Sequence, residues 1–249
     1  MIKNRKDIYI GLLLLFLVIV IVIFFRLFKS QTIDIVIARY EEDLSWLKDI
    51  PIKYTTLYIY NKGSQITLNL PNVKIIQLPN LGRESHTYLY HAINNYNNLA
   101  DMTFFLPGSV FAADFKKEKL FRIINSLKKD YKSTIVGTND IEYIESQKDF
   151  TIDNYEVSNK ENRAKNPDNY LEKSRYRPLN VWFNKRFSGE KITCMSYHGI
   201  MSVTRESIQK RPINFYKVLL EEHSIKNAEV VHYSERTWQN IFSIDNCIA

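Results

Sequence analysis

The feature that most constrains this chain is an uninterrupted apolar run at residues 8–25, IYIGLLLLFLVIVIVIFF, which carries no charge. At about 1.5 Å per residue, a helix of that length just crosses a hydrocarbon core of roughly 30 Å. A cleaved signal peptide is the alternative. The run exceeds a typical signal core, however, and Arg26, Leu27, Phe28 and Lys29 follow it where a small-residue cleavage site would stand. The sequence therefore predicts a cytoplasmic stub and transmembrane helix over residues 1–30 and a single globular domain over residues 31–249. The expected partner of residues 8–25 is the lipid bilayer. Lys3, Arg5 and Lys6 precede the span and Arg26 and Lys29 follow it, a bias that favours a single-pass protein with its domain lumenal or extracytoplasmic. No Asn-x-Ser/Thr acceptor occurs to fix the sidedness independently.

The formal charge is +7, and five basic residues less Asp7 place +4 of it in the first thirty residues. The +3 left on the domain is small and dispersed, which argues against nucleic acid as a partner. Cys194 and Cys247 are far apart and form no Cys-x-x-Cys pair. They are either two buried thiols or one disulfide, and structural thiols are the preferred reading.

Within the domain, strands alternate with helices. β-Branched and aromatic runs at residues 33–40, 54–60, 73–78, 102–106 and 134–136 read as strands. A short helix over residues 41–48 turns Leu44, Trp46 and Leu47 inward. Helices over residues 84–96 and 115–131 carry apolar faces at Tyr88, Leu89, Ala92, Ile93 and Tyr96, and at Leu120, Phe121, Ile124 and Leu127. Residues 140–178 lose this pattern and read as a flap or an excursion over one sheet edge. A strand at 199–204 and helices at 213–222 and 234–242 close the chain. The fold class is α/β, a mostly parallel central sheet with helices on both faces, preceded by one transmembrane helix.

In open α/β sheets, ligands bind beyond the carboxyl ends of the strands, close to helix N-termini. Three segments fall there. In Arg39-Tyr40-Glu41-Glu42-Asp43, Arg39 can meet a phosphate and Asp43 a ribose or base; the plainer alternative is that Asp43 caps the short helix. In Asn80-Leu81-Gly82-Arg83-Glu84-Ser85-His86, Gly82 permits close backbone approach and Arg83 supplies a two-pronged donor suited to a diphosphate. An ordinary turn with Glu84 in the first helical turn is the alternative. In Tyr233-Ser234-Glu235-Arg236-Thr237-Trp238, Glu235 beside Arg236 at a helix start can act as a general base on an acceptor hydroxyl, or simply serve as a helix-start carboxylate. His86 and His91 lie roughly 140° apart around a helix and make no metal pair. No P-loop, dinucleotide fingerprint or nucleophile elbow is present.

The stretches IVIARYEEDLSWL, YIYNKG, LPNLGRESHTYLYHAINNY, DMTFFLPGS, MSVTRESIQKRPINFYKVLL and ERTWQNIF, taken in order, resemble a family of largely uncharacterised glycosyltransferase-like proteins from fungi, algae and large DNA viruses. The closing stretch is similar to the end of nucleotide-sugar transferases of the GT-A type, where a strand, a helix beginning near Arg-Pro and a following carboxylate recur. The resemblance implies a GT-A/Rossmann-like fold with Ala38, Arg39 and Asp43 lining a nucleotide pocket. Gly82, Arg83, Glu84 and His86 would lie at the diphosphate, and Glu235 would be the base beside Arg236. A nucleotide-sugar and a glycan acceptor are the partners it implies. Enzymes of that type commonly hold a divalent cation on Asp-x-Asp after the fourth strand. Here that position reads Phe105-Leu106-Pro107-Gly108-Ser109, so no metal ligand or other cofactor is assigned; a divalent cation stays open, with Asp114 and Asp140 as isolated candidate ligands that lack the paired geometry. The expectation is a membrane-anchored transferase whose basic side chains replace the metal; the alternative is a tethered, non-catalytic module that binds a glycan or a protein.

Overall fold

The β-branched runs pair as the alternation predicts. The computed structural model describes residues 9, 11–18, 31–153, 172–226 and 228–249. Strands β1 (Ile33–Arg39), β2 (Thr56–Asn61), β3 (Val73–Gln77) and β4 (Met102–Pro107) are mutually parallel, with β1 between β2 and β4. β6 (Met201–Thr204) then runs antiparallel between β4 and β5 (Thr134–Val136), and β7 (Asn246–Ile248) adds parallel to β5. The seven-stranded order is β3-β2-β1-β4-β6-β5-β7.

Side chains of successive strand residues point to opposite faces, which divides the interior into two cores. On one face Val36, Tyr58, Tyr60, Phe105, Met201 and Val203 pack beneath α1 (Arg83–Asn94), α4 (Leu179–Arg186), α6 (Ile213–His223) and α7 (Val230–Ile241). On the other, Ile35, Ile37, Leu57, Ile59, Phe104 and Leu106 pack against α2 (Asp114–Leu127). A near-continuous apolar strand such as β1 is what a sheet covered on both faces requires. Two short helices, α3 (Ile141–Ser146) and α5 (Arg205–Gln209), complete the frame.

Several elements differ from the sequence reading. The helix expected at residues 41–48 is a 3-10 turn, Ser45–Asp49, although Leu44, Trp46 and Leu47 are buried as expected. The stretch read as wholly irregular contains α3, whose Asp140 cap accepts from the Tyr143 N–H at 3.2 Å; residues 154–171 of the expected flap lie outside the described residues. The last helix begins at Val230 rather than at Ser234, because Val230, Val231 and Tyr233 are all needed in the core. Glu235 therefore stands in the second turn of α7, not at its start. Two residues later the helix kinks at Thr237 (φ −131°), whose hydroxyl donates to the Tyr233 carbonyl at 2.8 Å.

The preferred reading of two free thiols is corrected. Cys194 and Cys247 form a disulfide, with Cα atoms 6.1 Å apart. Both flank β5: Cys247 pairs opposite Ile135, and the bridge between Thr138 and Met195 carries Cys194 to the same strand's end.

The chain divides into two units, Met1–Gln31 and Thr32–Ala249. In the first, residues 9 and 11–18 are helical with exposed side chains. Among the described residues no helix is long and apolar enough to cross a membrane. Residues 8, 10 and 19–25 of the expected span lie outside the described residues.

Candidate functional site

The strand order reverses beside β1, with β2 and β3 on one side and β4 on the other, so the crevice favoured for ligands opens at the carboxyl ends of β1 and β4. All three loops singled out in the sequence reach the sheet's carboxyl-end region or the helices packed on it, and their side chains serve different ends.

The Arg39 guanidinium is buried and donates to the carbonyls of Glu42 (3.0 Å), Tyr40 (2.9 Å) and Ser64 (3.2 Å) and to Asn61 Oδ1 (2.6 Å). It stitches the exits of β1 and β2 together. Ala38 is half-buried against the core. Asp43 is exposed and accepts from the Ser45 N–H (2.9 Å) and hydroxyl (2.5 Å), a local turn; the 3-10 turn's N-cap is Leu44, without a side-chain cap bond.

The Gly82 turn is built differently. Gly82 (φ 54°) and Arg83 (φ 47°) are both left-handed at the start of α1. A Cβ on Gly82 would lie 2.1 Å from the His223 carbonyl oxygen, so close approach and conformation both demand glycine. For Arg83 the left-handed region costs on the order of 1 kcal/mol. Lys62, from the end of β2, offsets that cost: its buried amine donates to the Leu81 carbonyl at 2.6 Å and to the Arg83 carbonyl. Burial pushes the Lys62 amine down to about 8. Arg83 itself is exposed, and its charge acts on both Glu84 and Glu235. His86 is buried and stacks on Tyr90 with ring centroids 6.3 Å apart. Burial, aided by the charges of Lys62 and His223, pushes its pKa down to about 4, so it is neutral near pH 7.

Glu84 and Glu235 are the centre of the arrangement. The Glu84 carboxyl is held above its usual range by burial and then by the negative charge of Glu235. Burial also pushes Glu235 upward, but His232 beside it (Nδ1 to Oε2, 3.7 Å) and the charges of Arg83 and Arg236 outweigh this and hold it below the carboxylate range. Neighbouring carboxylates whose proton affinities are driven apart are the usual setting of acid–base chemistry. Gly199 makes room for Glu84: a Cβ there would meet Glu84 Cγ at 3.0 Å and Tyr88 Cε2 at 3.1 Å. The Tyr88 hydroxyl donates to the Gly199 carbonyl at 2.9 Å. Lys119, Tyr197 and His198 stand within electrostatic reach of Glu235. Arg236 forms a wall of the site. Its guanidinium lies 3.5 Å over the Phe150 ring and donates to the His232 carbonyl at 2.9 Å and to Gln147 Oε1 at 3.3 Å.

Of the residues expected from sequence, Arg83, Glu84, Glu235 and Arg236 act on one another through their charges, and Gly82 shapes the turn before the first two. Arg39, Asp43, Ala38 and His86 are engaged elsewhere. Sequence reasoning missed Lys62, seen only as part of the Asn61-Lys62-Gly63 turn, and Tyr197-His198-Gly199, which precede β6 without a periodic signal. Among the described residues no group of three or more His, Cys, Asp or Glu side chains could hold a metal ion. Asp114 begins α2 and Asp140 caps α3.

No curated protein and no solved structure matches the chain. One family model does, over residues 35–248, which is nearly the whole domain. The chain belongs to the family described as protein of unknown function DUF3431.

Proposed function

We propose that this protein is a membrane-anchored, glycosyltransferase-like enzyme that moves a sugar from a nucleotide-sugar to an acceptor hydroxyl. The observation that carries the reading is the electrostatic coupling of Glu235 on α7 to Glu84 and Arg83, which follow the Gly82 turn. Glu235, ionised near neutrality, takes the proton of the acceptor hydroxyl. The oxygen so activated forms the new bond to the sugar's anomeric carbon as the bond from that carbon to the diphosphate breaks. The nucleoside diphosphate leaves with the electron pair, and Arg83 neutralises its growing charge, the kind of term that usually dominates such catalysis. The resemblance to GT-A-type transferases points the same way, with basic side chains serving where that family commonly holds a metal.

Residues 8–25 supply the bilayer anchor in this reading. The disulfide between Cys194 and Cys247 supports a lumenal or extracytoplasmic domain, since such bonds persist chiefly in oxidising compartments.

Isothermal titration of the full chain with a panel of nucleoside diphosphates tests the proposal. Binding is expected, weakened about tenfold by Arg83→Ala, equivalent to about 1.4 kcal/mol. Silence across the panel at millimolar concentration would remove the transferase reading.

A further inference from the structure

Beyond the carboxylate pair, an unusual aromatic strip runs outward from Glu235. Phe115, at the start of α2, is 50 % exposed, and its ring centroid lies 5.0 Å from that of His198. The next ring is Tyr197, 6.4 Å from His198, and its hydroxyl bonds the Tyr143 hydroxyl at 2.8 Å. Tyr143, on α3, is itself 39 % exposed. Large apolar side chains scattered singly on a surface need no explanation, but a cluster of rings linked by stacking and a hydroxyl bond beside charged side chains does.

The backbone that carries the strip is strained. His198 (φ 77°) is left-handed, and Gly199 (φ 59°) follows it in the same region. The turn is clamped from below by Tyr88 and Glu84, which fill the space a Cβ on Gly199 would need. Costly backbone geometry that its surroundings over-determine is characteristic of binding and active sites.

The chemistry of the strip selects its occupant. Burial keeps the imidazole of His198 below its ordinary range, so it is uncharged near pH 7. The strip offers ring surfaces tilted by 57° between Phe115 and His198 and by 64° between His198 and Tyr197, edged by the hydroxyls of Tyr197 and Tyr143, with the Arg236 guanidinium 5.2 Å over the Tyr197 ring. A pyranose presents the complement, a flat patch of C–H groups rimmed by hydroxyls. Mixed aromatic faces with a few fixed polar atoms are the common lining of small-molecule sites. Glu235 lies within electrostatic reach of both Tyr197 and His198.

We propose that Phe115, His198, Tyr197 and Tyr143 form the platform on which the acceptor sugar stacks, delivering its hydroxyl to Glu235. This rests on the transferase reading for the word acceptor, while the sugar-binding claim stands on the strip itself. The test uses the full chain with methyl β-glucoside, methyl β-galactoside, methyl α-mannoside and methyl N-acetyl-β-glucosaminide, read by saturation-transfer NMR. Transfer to the ring protons of at least one glycoside is expected. Combining Phe115→Ala with Tyr143→Ala should weaken it about tenfold; both side chains are substantially exposed, so the fold is retained. Phe115→Trp should restore or strengthen the signal. No transfer from the wild type, or transfer unchanged in the double variant, overturns the platform. Titrating nucleoside diphosphates into the wild type separates the two claims. Diphosphate binding with no glycoside signal overturns the platform and spares the transferase; glycoside binding without diphosphate binding supports the platform as a sugar site and removes the transferase.

Discussion

Two glutamates six residues apart on one segment meet opposite fates. Glu229, just before α7, is fully buried, and every direction around its carboxylate is used. It accepts from the backbone N–H groups of Ile152 (2.9 Å) and Ser174 (2.7 Å) and from Arg177 through Nε and Nη2, each at 3.1 Å. Ile152 and Ser174 flank residues 154–171, so one carboxylate clasps both sides of that stretch. Glu235, in the second turn of α7, keeps 17 % of its side chain exposed, has His232 at 3.7 Å, and faces the like charge of Glu84. The first is an ion whose desolvation is repaid by good bonds. The second is an ion held in place by surrounding charges, with an open side. Burial alone does not mark a functional carboxylate; incomplete satisfaction beside a like charge does.

The sharpest way to break this contrast is to remove Glu229. Glu229→Ala leaves Arg177 with Asp153 as its partner and strands two backbone donors, and should cost about 3 kcal/mol of stability in chemical denaturation. A loss below about 1 kcal/mol would mean that the clasp is ornamental and the contrast false. Next comes the disulfide, the other fastening remote from the carboxylate pair. Paired Cys194→Ser and Cys247→Ser substitutions release a constraint spanning 53 residues and should cost about 3–4 kcal/mol, read as a lowered unfolding midpoint. Nucleoside diphosphate affinity should hardly change, and a large change would tie the locked side to the open one.

Asp34 sharpens the comparison from a third direction, as a buried carboxyl with no full set of partners. Burial raises its pKa from 3.8 to about 6, against the opposing pull of the Thr56 hydrogen bond and Lys74. The folded state therefore holds more protons than the unfolded state between about pH 4 and 6, and stability falls as pH rises through that window. Asp34→Asn should stabilise the protein by about 2 kcal/mol at pH 7.5 and leave it nearly unchanged at pH 4. Denaturation curves at the two pH values check this; equal effects at both would refute it. The smallest expected effect is that of Lys62→Met, which frees the left-handed Arg83 turn. It should weaken diphosphate binding about threefold, measured by titration, with the turn still formed by Gly82.

Much of this architecture was legible in the sequence. The buried strands β1 and β4 announce themselves as apolar runs, and the face of α1 follows from the spacing of Tyr88, Leu89 and Ala92. The direction of β6 was not legible, since a short run such as MSVT carries no sign of its neighbour's polarity. The early start of α7 was hidden because β-branched Val230 and Val231 disfavour a helix locally and are overruled by burial. At the site, the Gly82-Arg83 turn stood out as a glycine beside an arginine between a strand and a helix, and Glu235 as a carboxylate beside Arg236, although each also had an ordinary structural use. Arg39 looked equally apt, yet its role depends on acceptors from Asn61 and Ser64 that lie on a different strand exit. Lys62 and His198 escaped for the converse reason: their importance comes from partners distant in the chain.

The central claim is that Glu235 is placed for chemistry and Glu229 for stability. Its most direct test is release of nucleoside diphosphate from a nucleotide-sugar panel by the full chain, compared with Glu235→Gln at matched thermal midpoints. The account predicts measurable release by the wild type and a fall of at least about 100-fold in the variant with an unchanged midpoint. Equal rates in the two proteins, or a midpoint lowered by the substitution as far as by Glu229→Ala, would contradict it.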